Sequence, residues 1–252
     1  MKFFSDEGLE TALSRNDEFN PFPKSTDRDA WTGLDADIRK KLIAEGESFL
    51  GYQWPLVRAT DYMNYVETGD RGEHAERYFA RRYAVGALTF AECAEGQGRF
   101  LRELLDGLWL ICEEACWVIP AHVKDASRYP GPLPSPRGAD QGIDLFSAET
   151  AALLSWILYL LGDQLSSSYP ALVERISLEV QIRVVDQFLN RTDQWWMGLE
   201  PSSHEYLNNW TPWCCSNILT AILFSEASDE SRVLGVRKIL LCLDLYLKQI
   251  PE

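Results

Sequence analysis

The chain has 252 residues, enough for a sizeable core in one or two domains, and its 46% hydrophobic and 25% charged content is that of an ordinary globular protein. The net charge of −14 excludes a nucleic-acid binder of the usual kind, because neutralising a phosphate backbone needs clustered Lys and Arg. An acidic ligand would need a locally favourable cleft. MKFFSDEGLE carries no apolar run of signal-peptide length, and the longest apolar run, Ala151–Leu161, is too short to span a bilayer. No membrane partner is expected. Cys93, Cys112, Cys116, Cys214, Cys215 and Cys242 fit neither a disulfide framework nor a zinc ribbon. Cys112, Cys116 and His122 lack a fourth ligand. The cysteines therefore read as reduced core residues of a cytoplasmic protein, with no metal and no cofactor.

Residues 1–30 are polar and interrupted by Pro21 and Pro23, which predicts an irregular arm with one short helix at most. Residues 31–252 read as one helical domain. A helix is expected over 34–50, followed by a loop whose Tyr52 and Trp54 either line a cleft or pack down. The spacing of Ala75, Tyr78, Phe79, Arg82, Gly86, Phe90 and Cys93 predicts a helix over 72–93. Arg81 and Arg82 on it are read as solvated or ion-paired. The next helix is predicted over 99–117, with Leu101, Leu104, Leu108 and Ile111 inward and Pro120 as its stop. His122 follows in WVIPAH.

Residues 124–142 are rich in Pro and Gly and read as a loop. A helix apolar nearly all round then starts near Ser147, with Asp144 or Ser147 as cap and Glu149 in its first turn, and is expected to close at Gly162. Further helices are predicted over 170–189, from Thr211 to Glu226 and from Glu230 to Lys248. No strand pattern of any length occurs. The fold class is all-α, with helices in antiparallel hairpins.

One stretch stands apart in composition: residues 195–217, WWMGLEPSSHEYLNNWTPWCCSN. Trp195, Trp196, Trp210 and Trp213 alternate with His204, Glu205, Tyr206, Asn208 and Asn209. Indole faces beside amides, a carboxylate and an imidazole suit a carbohydrate, whose rings have apolar faces and polar rims. The same composition also suits tryptophans filling a core with an Asn pair in a turn.

Residues 111–122 (ICEEACWVIPAH), residues 143–151 (IDLFSAETA) opening an apolar helix, and the Trp195-Trp196 pair followed by Asn208-Asn209-Trp210 together resemble the helical N-terminal part of heparinase II/III-like polysaccharide lyases. That resemblance implies an incomplete α/α toroid, with a C-terminal β-sandwich domain that this sequence lacks. It implies β-elimination at a uronic acid within an acidic oligo- or polysaccharide. Elimination needs an amide donor that neutralises the sugar carboxylate, a base for the C5 proton and an acid for the departing oxygen. The resemblance puts the amide at Asn209 or Asn208, with Asn217 a third candidate. It makes His122 and His204 proton-transfer or binding groups. Trp117, Trp195, Trp196, Trp210, Tyr206 and Glu149 become substrate contacts. Some relatives have His where this chain has Trp210, and the family's catalytic Tyr and β-sandwich His have no counterpart here, so little activity is expected from this chain alone. Two other readings remain open: a noncatalytic carbohydrate-binding or scaffold domain, and a toroid glycoside hydrolase using Asp144, Glu149 or Glu205.

Overall fold

The computed structural model describes residues 4–5, 7–13, 19–123, 133–135, 141–200, 207–225 and 228–250. Its regular structure is entirely helical among them. The chain forms two units. One takes Asn20–Ala115 and Leu153–Glu179; the other takes Met1–Phe19, Cys116–Ala152 and Val180–Glu252.

The first unit is built on helices α2 (Arg28–Thr32), α3 (Ala36–Glu47), α4 (Ala59–Thr68), α5 (Gly72–Glu95) and α6 (Leu101–Cys112), which follow α1 (Leu9–Leu13) in the chain. Asp35 caps α3 by accepting from the Asp37 and Ile38 amides. Gly46 lets α3 approach α5 closely: a Cβ there would lie 2.2 Å from the Ala91 methyl. Gly107 on α6 likewise makes the seat for the Trp54 indole, whose Nε1 donates to Glu103 Oε1 at 2.8 Å. Arg28 Nη1 and Arg39 Nε donate to the Cys93 and Ala94 carbonyls, closing the C-terminal end of α5 with positive charge.

Several sequence expectations are corrected here. The buried face of α5 runs through Tyr78, Val85, Leu88 and Cys93, whereas Phe79 and Phe90 lie exposed. For Arg81 and Arg82 the ion-paired reading holds and the solvated one does not: both are buried and share Glu114, with Arg82 gripping both carboxylate oxygens at 3.0 and 2.7 Å. Helix α6 ends at Cys112, well before Pro120. Helix α4 was not expected. Its first turn is made by Asp61, whose carboxylate accepts from the Arg58 amide at 2.8 Å.

Helix α7 (Leu145–Ser168) contributes to both units and passes straight through Gly162. Gly is tolerated there at a cost of about 1 kcal/mol against Ala, which the burial of Leu154, Ile157, Leu161 and Leu165 outweighs. This helix is long and apolar enough to cross a membrane by composition, and 61% of its most apolar stretch is buried within the protein. Helix α8 (Pro170–Val180) continues through a π turn, Gln181–Val185, into α9 (Asp186–Asn190).

The second unit is completed by α10 (Trp210–Phe224) and α11 (Asp229–Leu247). Its core holds Trp117, Phe188, Trp196, Cys215, Ile218, Ile239 and Cys242, all fully buried. Lys238 Nζ donates to the Phe188, Leu189 and Arg191 carbonyls at 2.5, 3.3 and 2.5 Å and so ties α11 to the end of α9.

Candidate functional site

Asp144 organises the site. It precedes α7, and its Oδ1 accepts from the Ser147 amide at 2.7 Å, while its own amide donates to Ser147 Oγ at 2.9 Å. This reciprocal cap satisfies two backbone donors at the start of an apolar helix. The other oxygen, Oδ2, accepts from the Ile119 amide at 3.4 Å and lies 2.8 Å from His122 Nδ1. Asp144 is fully buried, and a buried carboxylate is tolerable only with its lone pairs filled in this way.

His122 is therefore fixed twice. It ends the 3₁₀ turn Pro120–His122, where its amide donates to the Ile119 carbonyl, and its ring is held by Asp144. Pro120 opens that turn rather than stopping a helix, as suits a residue without an amide hydrogen. A carboxylate on Nδ1 leaves Nε2 as the acceptor nitrogen of the neutral ring. Nε2 has no hydrogen-bond partner among the described residues, and the side chain keeps 13% of its surface open.

Aromatic rings flank the imidazole. Phe146 stacks on it at 5.5 Å with planes 6° apart, and the Trp210 ring lies 4.7 Å away. Trp195 packs on Trp210 at 5.1 Å. Trp195 belongs to the 3₁₀ turn Trp195–Met197, and the two neighbouring tryptophans part company there. Trp195 is half-buried, whereas Trp196 points into the core, donates Nε1 to the Ile143 carbonyl at 3.0 Å and stacks on Phe188.

The three asparagines differ in what they hold. Asn208 Oδ1 accepts from the Trp210 amide at 2.9 Å. The Asn208 and Asn209 carbonyls accept from the Thr211 and Trp213 amides, and Pro212 has none, so the first turn of α10 offers no backbone donor to an anion. Asn217 Nδ2 donates to the Trp213 carbonyl in its own helix at 2.9 Å. Asn209 alone of the three is exposed with an amide that bonds to nothing among the described residues. Its neighbour Trp210 touches His122.

Two expected sugar-stacking residues are corrected. Trp117 is 1% exposed and Trp196 0%, so neither presents a face to a ligand. The apolar area of an indole is worth more in the core, and Trp117 is covered by the Arg183 guanidinium at 4.9 Å. His204, Glu205 and Tyr206 lie outside the described residues. Glu149 reaches Trp213, whose Nε1 donates to its Oε1 at 3.0 Å. Nothing in the sequence singles out Phe146 as part of this face, Trp213 is picked out by composition alone, and Asp144 reads there only as a cap or as a hydrolase acid or base.

All six cysteines are free and buried. Cys214 is pushed well above the ordinary thiol range by burial, then by the nearby Asp144 and Glu149 carboxylates. It stays protonated and supplies no nucleophile. Among the described residues no group of three or more His, Cys, Asp or Glu side chains is placed to hold a metal. No protein-family model matches the chain, and no curated protein matches it in sequence.

Proposed function

We propose that this face binds a uronic acid within an acidic polysaccharide and serves its β-elimination, in an incomplete α/α toroid that works with a β-sandwich domain. The observation that carries it is the grouping of an exposed, uncommitted amide, Asn209, with Trp210 and a carboxylate-oriented imidazole, His122. The proton at C5 is weakly acidic because the adjacent carboxylate is already negative. A donor on that carboxylate is worth about 10²–10³ in rate, and a side chain is favoured because the Trp210, Thr211 and Trp213 amides in the first turn of α10 are already bonded. Asn209 has that role. His122 Nε2 takes the C5 proton, a contribution of about 10²–10⁴, while Asp144 holds the tautomer and stabilises the imidazolium. The electrons of the C5–H bond form the C4–C5 double bond, the glycosidic C4–O bond breaks, and the proton held by the His122 imidazolium passes through water to the departing oxygen. Trp210 and Trp195 give the sugar its apolar platform. Six free, buried thiols favour a reducing compartment, the cytoplasm.

A paired-carboxylate hydrolase is poorly served. Both Asp144 oxygens are occupied and the residue is 0% exposed, so it cannot meet a glycosidic oxygen. The test is product chemistry on uronic-acid polysaccharides, run with the chain in a full-length form that carries the β-sandwich domain. The expected result is ultraviolet absorbance from a C4–C5 double bond, abolished in His122→Ala. New reducing ends without that absorbance would establish hydrolysis instead. Saccharide affinity without either product would leave a binding domain.

A further inference from the structure

Trp213 is 39% exposed, yet its indole is not loose: Nε1 is held on Glu149 Oε1 at 3.0 Å, across from the first turns of α7. It stands three residues beyond Trp210 on α10, so the two side chains lie on adjacent positions of one helical face, with Cβ atoms about 5–6 Å apart. An exposed indole face stays in contact with water, and covering it with an apolar sugar face is favourable. A fixed orientation also removes most of the entropy a ligand would otherwise spend in ordering it. Trp109, 44% exposed on α6, has no hydrogen bond to its indole among the described residues.

We propose that Trp213 is a second saccharide subsite, stacking the sugar next to the one that sits over Trp210 beside His122. It rests on the uronate reading above and adds to it that the ligand is engaged over at least two consecutive sugars. Glu149 is the positioning residue of this subsite. It sets the plane of the indole and needs no contact with the sugar.

The experiment is isothermal titration of the full chain with a panel of uronic-acid-containing saccharides, each as the free monosaccharide and as a tetrasaccharide. For the wild type, affinity rises with length. Trp213→Ala lowers tetrasaccharide affinity about tenfold and leaves monosaccharide affinity unchanged, the effect of uncovering one apolar sugar face. A side chain with a merely structural role would change both or neither. Trp213→Gln repeats the test should the Ala variant fail to fold, and Trp109→Ala leaves both affinities unchanged. Equal tetrasaccharide affinity for wild type and Trp213→Ala overturns the subsite while the uronate reading stands. No binding of any panel member by the wild type overturns the uronate reading, and the subsite with it.

Discussion

His74 in the first unit and His122 in the second are both lined by aromatic rings, and they have opposite chemistry. His74 has Tyr62 at 4.6 Å and Tyr78 at 5.8 Å, is 3% exposed, and neither ring nitrogen has a hydrogen-bond partner among the described residues. Burial lowers it to about 4, helped by Arg82 and Arg77 and opposed by Glu114 and Asp61. His122 has comparable rings around it, but a carboxylate on one nitrogen and an open edge at the other. Aromatic walls alone do not make an imidazole functional. A partner that sets the tautomer, and a route to solvent for the second nitrogen, separate the two. The charges around His74 are closed on one another, Arg81 and Arg82 on Glu114, Arg58 and Arg77 on Asp61. That makes the first cluster a closed polar core, whereas the second keeps one imidazole nitrogen open.

The largest effect that follows is on stability, in the first cluster. Glu114→Gln leaves two buried guanidinium groups facing a neutral amide. The cost is about 3–5 kcal/mol, read as a lower urea midpoint at unchanged slope. Saccharide affinity of the folded fraction stays as in the wild type. A weakened affinity would show that the two clusters are not functionally separate.

Asn209→Ala gives the converse. In the full-length form with its β-sandwich domain, turnover falls about 10²–10³-fold with little change in affinity, because the amide acts on charge that develops in the transition state. Its stability changes by no more than about 0.5 kcal/mol, since the side chain is exposed and bonds to nothing described. Equal losses of turnover and affinity would remove the catalytic role.

The pH dependence of folding tests the first cluster next. The folded pKa of His74, about 4, lies below the ordinary 6.5. Between those values the unfolded chain binds a proton that the folded chain does not. Stability that is complete above pH 6.5 is therefore lost as pH falls toward 4, by up to about 3 kcal/mol. His74→Phe keeps an aromatic ring of similar size and flattens this slope in urea titrations at pH 7 and pH 4.5. An unchanged slope would mean the imidazole is hydrated in the folded protein.

How far these differences can be read from the sequence depends on distance along the chain. Helical periodicity locates α5, α6, α10 and α11 to within a few residues, with α6 the exception at its end, because their buried faces recur at local spacing. The Asp144 cap is a local signal too. Its bond to His122 spans 22 residues and leaves no periodic trace. Composition picks out the tryptophan-rich stretch, but two adjacent indoles, Trp195 and Trp196, go different ways because successive positions of the 3₁₀ turn that holds both point about 120° apart. Gly162 looks like a stop, and is passed because α7 is enclosed on most sides, so tertiary burial overrides propensity.

The smallest predicted effect separates the neighbouring asparagines. Asn208 Oδ1 satisfies the Trp210 amide at the start of α10, so Asn208→Ala leaves that donor to water and costs about 1 kcal/mol of stability. Asn208→Asp keeps the acceptor and adds negative charge where the helix dipole favours it, and so restores the loss. In binding, the order reverses. A carboxylate at 208 repels an acidic sugar held by Asn209 and weakens it about threefold at low salt, an effect that fades as screening increases. Stability regained together with affinity lost is the signature of an acidic ligand beside Trp210. If the Asp variant regained stability with no salt-dependent loss, the ligand at this end of α10 would be neutral, and the charge-cancelling role of Asn209 would have nothing to act on.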